Sequence, residues 1–355
     1  MEHPIVQHLR RIARFVVALL LIVTMQGIVH GQPAKSLAAS ILRRAFELSR
    51  EAGTEAEFTE VLAMCDEAAA QGNNLPAAAR YERKLRIWAL EARGAALVDS
   101  GQFAQALNDL DAALQLDPKS ASALRSRGKC LARLGRQDEA FVDLDRAIEL
   151  GRGDAEPFAQ RGEINYAVGR FREALHDYEQ ALRLKPNHAG AVVGRGHAKY
   201  RLGHIAAAVT DYTRAIKLRP RDATLYTQRG NAYADSGRYT EAAADFRRAM
   251  KLDPSYGRAF QSAAWLMSTC PDPRYRNEVL AIELSKRAIE LDGKSNHRYL
   301  ETLAAALANA GYYDEARKVQ ERALQRTPEG SLSSAELKLD LFAAGKPFRD
   351  GKARR

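Results

Sequence analysis

Five arginines carry the most regular chemical signal in this chain. Arg93, Arg127, Arg161, Arg195 and Arg229 recur every 34 residues, and each has an aspartate sixteen residues further on: Asp109, Asp143, Asp177, Asp211 and Asp245. A guanidinium presents planar, forked donors that match a carboxylate, so such a series reads as an internal Arg–Asp ladder. The competing chemistry is a row of arginines reading a polyanion. Equal numbers of opposite charges at constant spacing cancel locally, which favours the ladder.

Other chemistry finds little support. Three of the eight histidines lie within the first thirty residues, and His197 and His204 are separated by Gly203, which ends their helix. No carboxylate completes a ligand set with metal spacing, so no metal is expected. No glycine-rich phosphate loop follows a strand, and no cofactor is expected. Cys65, Cys130 and Cys270 sit far apart in the repeat order and suggest no disulfide framework. Cys270, in a proline-flanked turn, is the one thiol worth watching, with turn structure as its competing reading. No catalytic set is present, and the chain is read as a non-enzyme.

The elements that position these residues follow from the same period. A glycine stands directly after each arginine, at 94, 128, 162, 196 and 230. A fixed period of 20–50 residues indicates a stacked array of repeats. In the unit 223–256, Tyr226, Arg229-Gly230 and Tyr233 mark one helix face, and Gly237 stops that helix. A second stripe, Ala242, Phe246, Ala249 and Met250, ends at Leu252-Asp253-Pro254, where proline cannot continue a helix. Each unit is therefore a helical hairpin.

These residues resemble the tetratricopeptide (TPR) pattern: a small residue at Gly230, Ala242, the aromatic Phe246, Ala249 and Pro254. The columns Ala106, Ala140, Ala174, Ala208, Ala242 and Ala113, Ala147, Ala181, Ala215, Ala249 repeat the match, as do Pro118, Pro186, Pro220 and Pro254, with Arg152 the exception. The resemblance implies an all-α, right-handed superhelical TPR solenoid of antiparallel helical hairpins. Five regular units span 87–256 (87–120, 121–154, 155–188, 189–222 and 223–256), preceded at 32–86 by a degenerate hairpin with Phe58, Val61, Cys65 and Ala68. A degenerate unit with an inserted turn, Cys270-Pro271-Asp272-Pro273, covers 257–296, its hairpin starting at Phe260. A seventh unit covers 297–330. Residues 331–355 form a C-terminal capping helix and basic tail, with Ser333 and Glu336 as its capping box and Leu337 and Leu341 facing the stack. The inserted turn and the Ala-Gly-Lys-Pro-Phe-Arg tail also resemble those of exported bacterial TPR proteins.

The resemblance places ligands in a concave groove lined by the first helix of each hairpin. Carried over position by position, it nominates Arg125, Lys129 and Arg133, then Glu163 and Tyr166, then His197, Tyr200 and Arg201. Thr227, Asn231 and Asp235 follow, and Arg258, Gln261 and Trp265 complete the set. Tyr, Trp and Arg are the types that dominate interface energies. An ordinary solvated helix face is the competing reading. Asn231 resembles the asparagine of chaperone-tail carboxylate clamps, but Thr227 stands where that clamp has lysine, so the clamp is rejected.

The formal net charge is +10. The N-terminus argues against nucleic acid as the reason. Arg10, Arg11 and Arg14 precede the apolar run from Phe15 to Met25, and Val29-His30-Gly31 suits a cleavage site. This is the layout of a signal peptide over 1–31, or of an N-terminal anchor if it is retained. The expectation is an exported protein, periplasmic or secreted, that binds another protein or a peptide segment and assists envelope assembly. An anionic envelope polymer is the alternative partner, with Arg125–Arg133 holding it. A membrane-tethered scaffold is the third reading.

Overall fold

Helix boundaries in this protein follow from local chemistry repeated at each unit. The helix Ala223–Asp235 ends because Gly237 adopts a left-handed φ of 75°. Its N–H donates to the Ala234 carbonyl at 3.0 Å, and the Arg238 N–H donates to Tyr233 at 2.8 Å. That double closure satisfies carbonyls that every helix end leaves open. Starts are equally local: the Asp222 carboxylate accepts from the Thr224 N–H, and the Ser120 hydroxyl from the Ala123 N–H.

The computed structural model describes residues 37–71, 76–151, 153–293 and 296–350. The expected leader (1–31) and the last five residues of the basic tail lie outside the described residues. Among those described there are 17 α-helices and no strand: α1 (Leu37–Glu51), α2 (Glu55–Ala70), α3 (Pro76–Asp99), α4 (Phe103–Leu116), α5 (Ala121–Arg133), α6 (Gln137–Leu150), α7 (Glu156–Ala167), α8 (Phe171–Leu184), α9 (Ala189–Arg201), α10 (Ile205–Leu218), α11 (Ala223–Asp235), α12 (Tyr239–Leu252), α13 (Gly257–Thr269), α14 (Glu278–Ala288), α15 (His297–Asn309), α16 (Tyr313–Leu324) and α17 (Leu332–Ala343).

The chain divides into two units, with the boundary inside α7 between Ile164 and Asn165. In the first, α1 packs on α2, α3 on α4 and α5 on α6. In the second, α9 packs on α10, α11 on α12, α13 on α14 and α15 on α16, and α17 covers α16. Each unit is thus a stack of antiparallel helical hairpins, the all-α TPR architecture.

The alanine columns explain how close the hairpins come. All ten alanines of the two columns are 0–1% exposed. Gly230 marks the tightest crossing in its hairpin, where a Cβ would stand 2.6 Å from Phe246 Cε1. A methyl there has no room, because interiors are close-packed.

Three expectations change at the ends of the stack. The first hairpin finishes at Ala70, and α3 begins at Pro76, so residues 76–86 extend the first helix of the first regular unit rather than belonging to the N-terminal hairpin. Proline is pre-set for a helix's first position, and Ala77-Ala78-Ala79-Arg80 continues it with strong helix formers. The sixth hairpin starts at Gly257, three residues before Phe260. The capping helix starts at Leu332 after a short 3-10 turn, and Ser331 before it makes no side-chain cap. No Ser333–Glu336 capping box forms. Its inward face is Ala335, Lys338 and Phe342, while Leu337 is 54% exposed. The spacing 335, 338, 342 is the helical stripe, and Leu337 falls outside it.

Candidate functional site

The arginine series is held within the scaffold. Arg93 donates from Nε and Nη2 to the two carboxylate oxygens of Asp109, both at 2.7 Å. Arg127 does the same to Asp143 at 2.7 and 2.8 Å, Arg195 to Asp211 at 2.9 and 2.5 Å, and Arg229 to Asp245 at 2.8 Å for both. These aspartates are buried. In the remaining copy Arg161 donates to Asp145 at 2.6 Å, and Asp177 accepts from Asn165 Nδ2 at 2.9 Å. Hydrogen bonding to its aspartate holds each of Arg93, Arg127 and Arg229 above the usual arginine range.

The third guanidinium nitrogen shows a periodicity that the sequence reading passed over. Nη1 of Arg127 reaches Asp111 at 2.6 Å, that of Arg229 reaches Thr213 at 3.1 Å, and that of Arg93 reaches Thr59 at 3.0 Å. Each acceptor lies on the second helix of the preceding hairpin. One arginine therefore ties two hairpins together, and the signal was a polar residue sixteen positions before Arg127 and Arg229, whereas Arg93 reaches thirty-four positions back to Thr59.

The nominated groove residues separate by unit. In the first, the Lys129 ammonium donates to Asp99 at 2.6 Å, and Arg125 Nε lies 3.8 Å from Asp154. Arg133 is exposed at the end of α5, and Glu163 is exposed on α7. Two of the three nominated cations thus face a carboxylate of their own chain.

In the second unit the nominated residues are largely aromatic. Tyr166 packs on Phe171 (5.4 Å between centroids) and on His197 (5.9 Å), and His197 packs on Tyr212 (5.6 Å). Arg201 stacks over Phe171 at 4.3 Å. Burial lowers the pKa of His197, whose Nε2 is buried with no hydrogen-bond partner. Neutral imidazole is therefore the favoured form. The Tyr200 hydroxyl donates to the Asp235 carboxylate. Burial, first, and the neighbouring Asp235 push that phenol up.

Tyr200, Asn231, Asp235 and Trp265 meet around a recess of about 150 Å³. Tyr166, His197 and Arg201 lie outside it in the aromatic cluster just described, and three further nominated residues do not join it either. Thr227 is 1% exposed, and its hydroxyl donates to the Ala223 carbonyl one turn back, so it belongs to the core rather than the groove. Arg258 is exposed at the start of α13. Gln261 donates to Thr302 on α15 at 2.8 Å. Residues outside the nominated groove positions also line the recess, among them Tyr239, Thr269, Asp350 and Pro271 of the inserted turn. Cys270 also lines it but is 2% exposed, and burial pushes its thiol up, which opposes a reactive thiolate. Cys65 is pushed up to about 12 by burial.

Among the described residues no group of three or more His, Cys, Asp or Glu side chains is placed to hold a metal, and no helix is long and apolar enough to cross a membrane.

Models of the tetratricopeptide repeat match residues 91–155 and 193–257, residues 155–188, and residues 298–327. Together they cover more than half of the chain. Similar folds occur in MamA residues 41-end from Desulfovibrio magneticus RS-1 (22% identity, 49% of this chain and 96% of that one, TM-score 0.45). YrrB, described as a TPR protein with an unusual peptide-binding site, is also similar (20% identity, 49% and 90%, TM-score 0.43), as is yeast Tom70 (16% identity, 89% and 66%, TM-score 0.47). No curated protein matches the chain at a significant level. On its repeat columns, its hairpin stack and these family models, the chain belongs to the tetratricopeptide repeat family.

Proposed function

We propose that this protein is a non-catalytic, exported scaffold that binds a peptide segment of a partner protein and so assists complex assembly at the cell envelope. The observation that carries this reading is the row Tyr166, His197, Tyr200, Asn231 and Trp265 on the inner helices of the second unit. Aromatic and amide side chains on a rigid helical frame give contact area and backbone hydrogen bonds at little entropic cost. Export is supported by the basic, apolar and small-residue order of residues 10–31. The anionic-polymer alternative loses support, because Lys129 and Arg125, its main cations, face Asp99 and Asp154.

Co-purification from envelope extract tests the reading. The intact chain is expected to retain a partner that the Tyr166→Ala, Tyr200→Ala, Trp265→Ala variant loses. A correctly folded triple variant that keeps every partner would rule out groove binding. Recovery of mature protein beginning at Gln32 supports cleavage and export; protein found only in the cytoplasm with Met1 intact opposes them.

A further inference from the structure

The sixth hairpin lacks the glycine that closes the first helix elsewhere. Pro271 has no N–H to donate, so α13 cannot close its end as α11 does with Gly237 and Arg238. Of its last four carbonyls, Leu266 accepts from the Cys270 N–H and Met267 from the Asn277 N–H. Ser268 and Thr269 are satisfied from the far end of the chain. Arg349 Nη1 donates to the Ser268 carbonyl at 3.2 Å, and the Asp350 N–H donates to Thr269 at 2.9 Å.

The same segment covers Trp265. The Phe348 ring packs on the indole at 5.8 Å between centroids, and the Lys338 ammonium lies 5.5 Å from both rings. The Asp350 carboxylate accepts from the indole N–H at 3.0 Å, and Arg349 Nη2 donates to Asn309 Oδ1 at 2.8 Å. These contacts join main-chain hydrogen bonds to an aromatic, a cationic and an acidic side chain in succession. They are the contacts of a bound peptide, made by the chain's own tail.

We infer that residues 346–350 are a tethered ligand: the surface formed by Trp265, Asn309 and the Ser268 and Thr269 carbonyls, which α13 itself leaves unpaired, recognises an aromatic–arginine–acid segment, and a partner segment of that chemistry gains it by displacing the tail. This rests on the reading that the groove takes peptide segments. One feature of the bound tail favours exchange. Asn309 Nδ2 is buried with no hydrogen-bond partner, so a segment offering a carbonyl there would satisfy the site more completely. A tethered ligand competes at a high effective concentration, which keeps the site closed to weak peptides.

The test uses a fluorescent peptide of residues 346–355, the full chain, and the full chain with Phe348→Ser and Arg349→Ser. The peptide is expected to bind the double variant at least about tenfold more tightly than the unaltered chain, because the tethered competitor is weakened. Adding Trp265→Ala to the double variant is expected to abolish that binding. Equal binding to both chains, or no binding to a folded double variant, overturns the inference. A second measurement needs no variant: excess peptide should accelerate hydrogen exchange of the Asp350 amide, bonded to Thr269, in the unaltered chain, and an unchanged rate overturns the inference. The peptide assay contains no partner protein. Its failure leaves the co-purification test of groove binding standing, and the reverse also holds.

Discussion

The inner helices of the two units share one backbone pattern and differ in what they present. In the first, cationic side chains predominate, and Lys129 and Arg125 face Asp99 on α3 and Asp154 in the loop before α7. In the second, aromatic rings contact one another, an imidazole is half-buried with its Nε2 inside, and the C-terminal segment lies over Trp265. The comparison teaches that the repeat columns build the frame, whereas binding capacity depends on the positions between columns. Where a charge is already paired within the chain, an incoming ligand must first compete with that pair. Where an aromatic ring and helix-end carbonyls are met only by a C-terminal segment, a segment gains area and hydrogen bonds together.

Charge pairs offer the largest test of that contrast. Lys338 and Glu301 form a pair at 2.7 Å with side chains only 6% and 12% exposed. Glu301→Ala leaves a buried ammonium unpaired and is expected to cost about 3 kcal/mol in denaturant unfolding. Lys129 and Asp99 in the first unit are 30% and 36% exposed, so Asp99→Ala should cost under about 1 kcal/mol. Similar losses at the two sites would break the distinction.

Close crossings give a smaller difference. A Cβ on Gly230 meets the Phe246 ring at 2.6 Å, whereas one on Gly94 meets the Leu110 Cγ at 2.8 Å. A leucine has further rotamers and a ring edge does not, so Gly230→Ala should destabilise by about 2 kcal/mol and Gly94→Ala by about 1 kcal/mol. Midpoint shifts in urea measure both, and the opposite order would refute the argument.

The pH dependence is the smallest effect, and the group considered for it, His197, lies in the second unit. Burial lowers the folded-state pKa of His197 below its unfolded value of about 6.5. The unfolded chain then takes up the proton first as pH falls. The stability associated with neutral His197 is therefore fully present above about pH 6.5 and is lost as pH drops below it. His197→Phe should flatten thermal stability across that range. An unchanged slope would show that another group carries the acid sensitivity.

Most of the scaffold was legible before any coordinates. The glycines at 34-residue intervals, the two alanine columns and the Arg-to-Asp offset are local or nearly local signals. They survive because a helical hairpin closes within about thirty residues. The recess was legible only in part. Tyr200, Asn231, Asp235 and Trp265 were named from their positions, but Thr227 turned inward to its own helix. Its hydroxyl bonds one turn back, a choice that β-branched and hydroxyl residues make when packing hides them. Lys338 was not expected inside, since a lysine is buried only when a carboxylate meets it, and Glu301 lies 37 residues earlier.

By itself, then, the sequence determined the repeat, the hairpin, the helix stops and the pairing chemistry of the arginines, because each depends on residues within one unit. Tertiary structure alone decided what covers Trp265. The proline at 271 announced that α13 would end with carbonyls to spare, but not which donors would meet them. Those donors came from Arg349 and Asp350, about eighty residues away, and no periodicity links the two. Local patterns encode local hydrogen bonds; a contact across that separation exists only once the intervening hairpins have folded and brought the tail back to the groove.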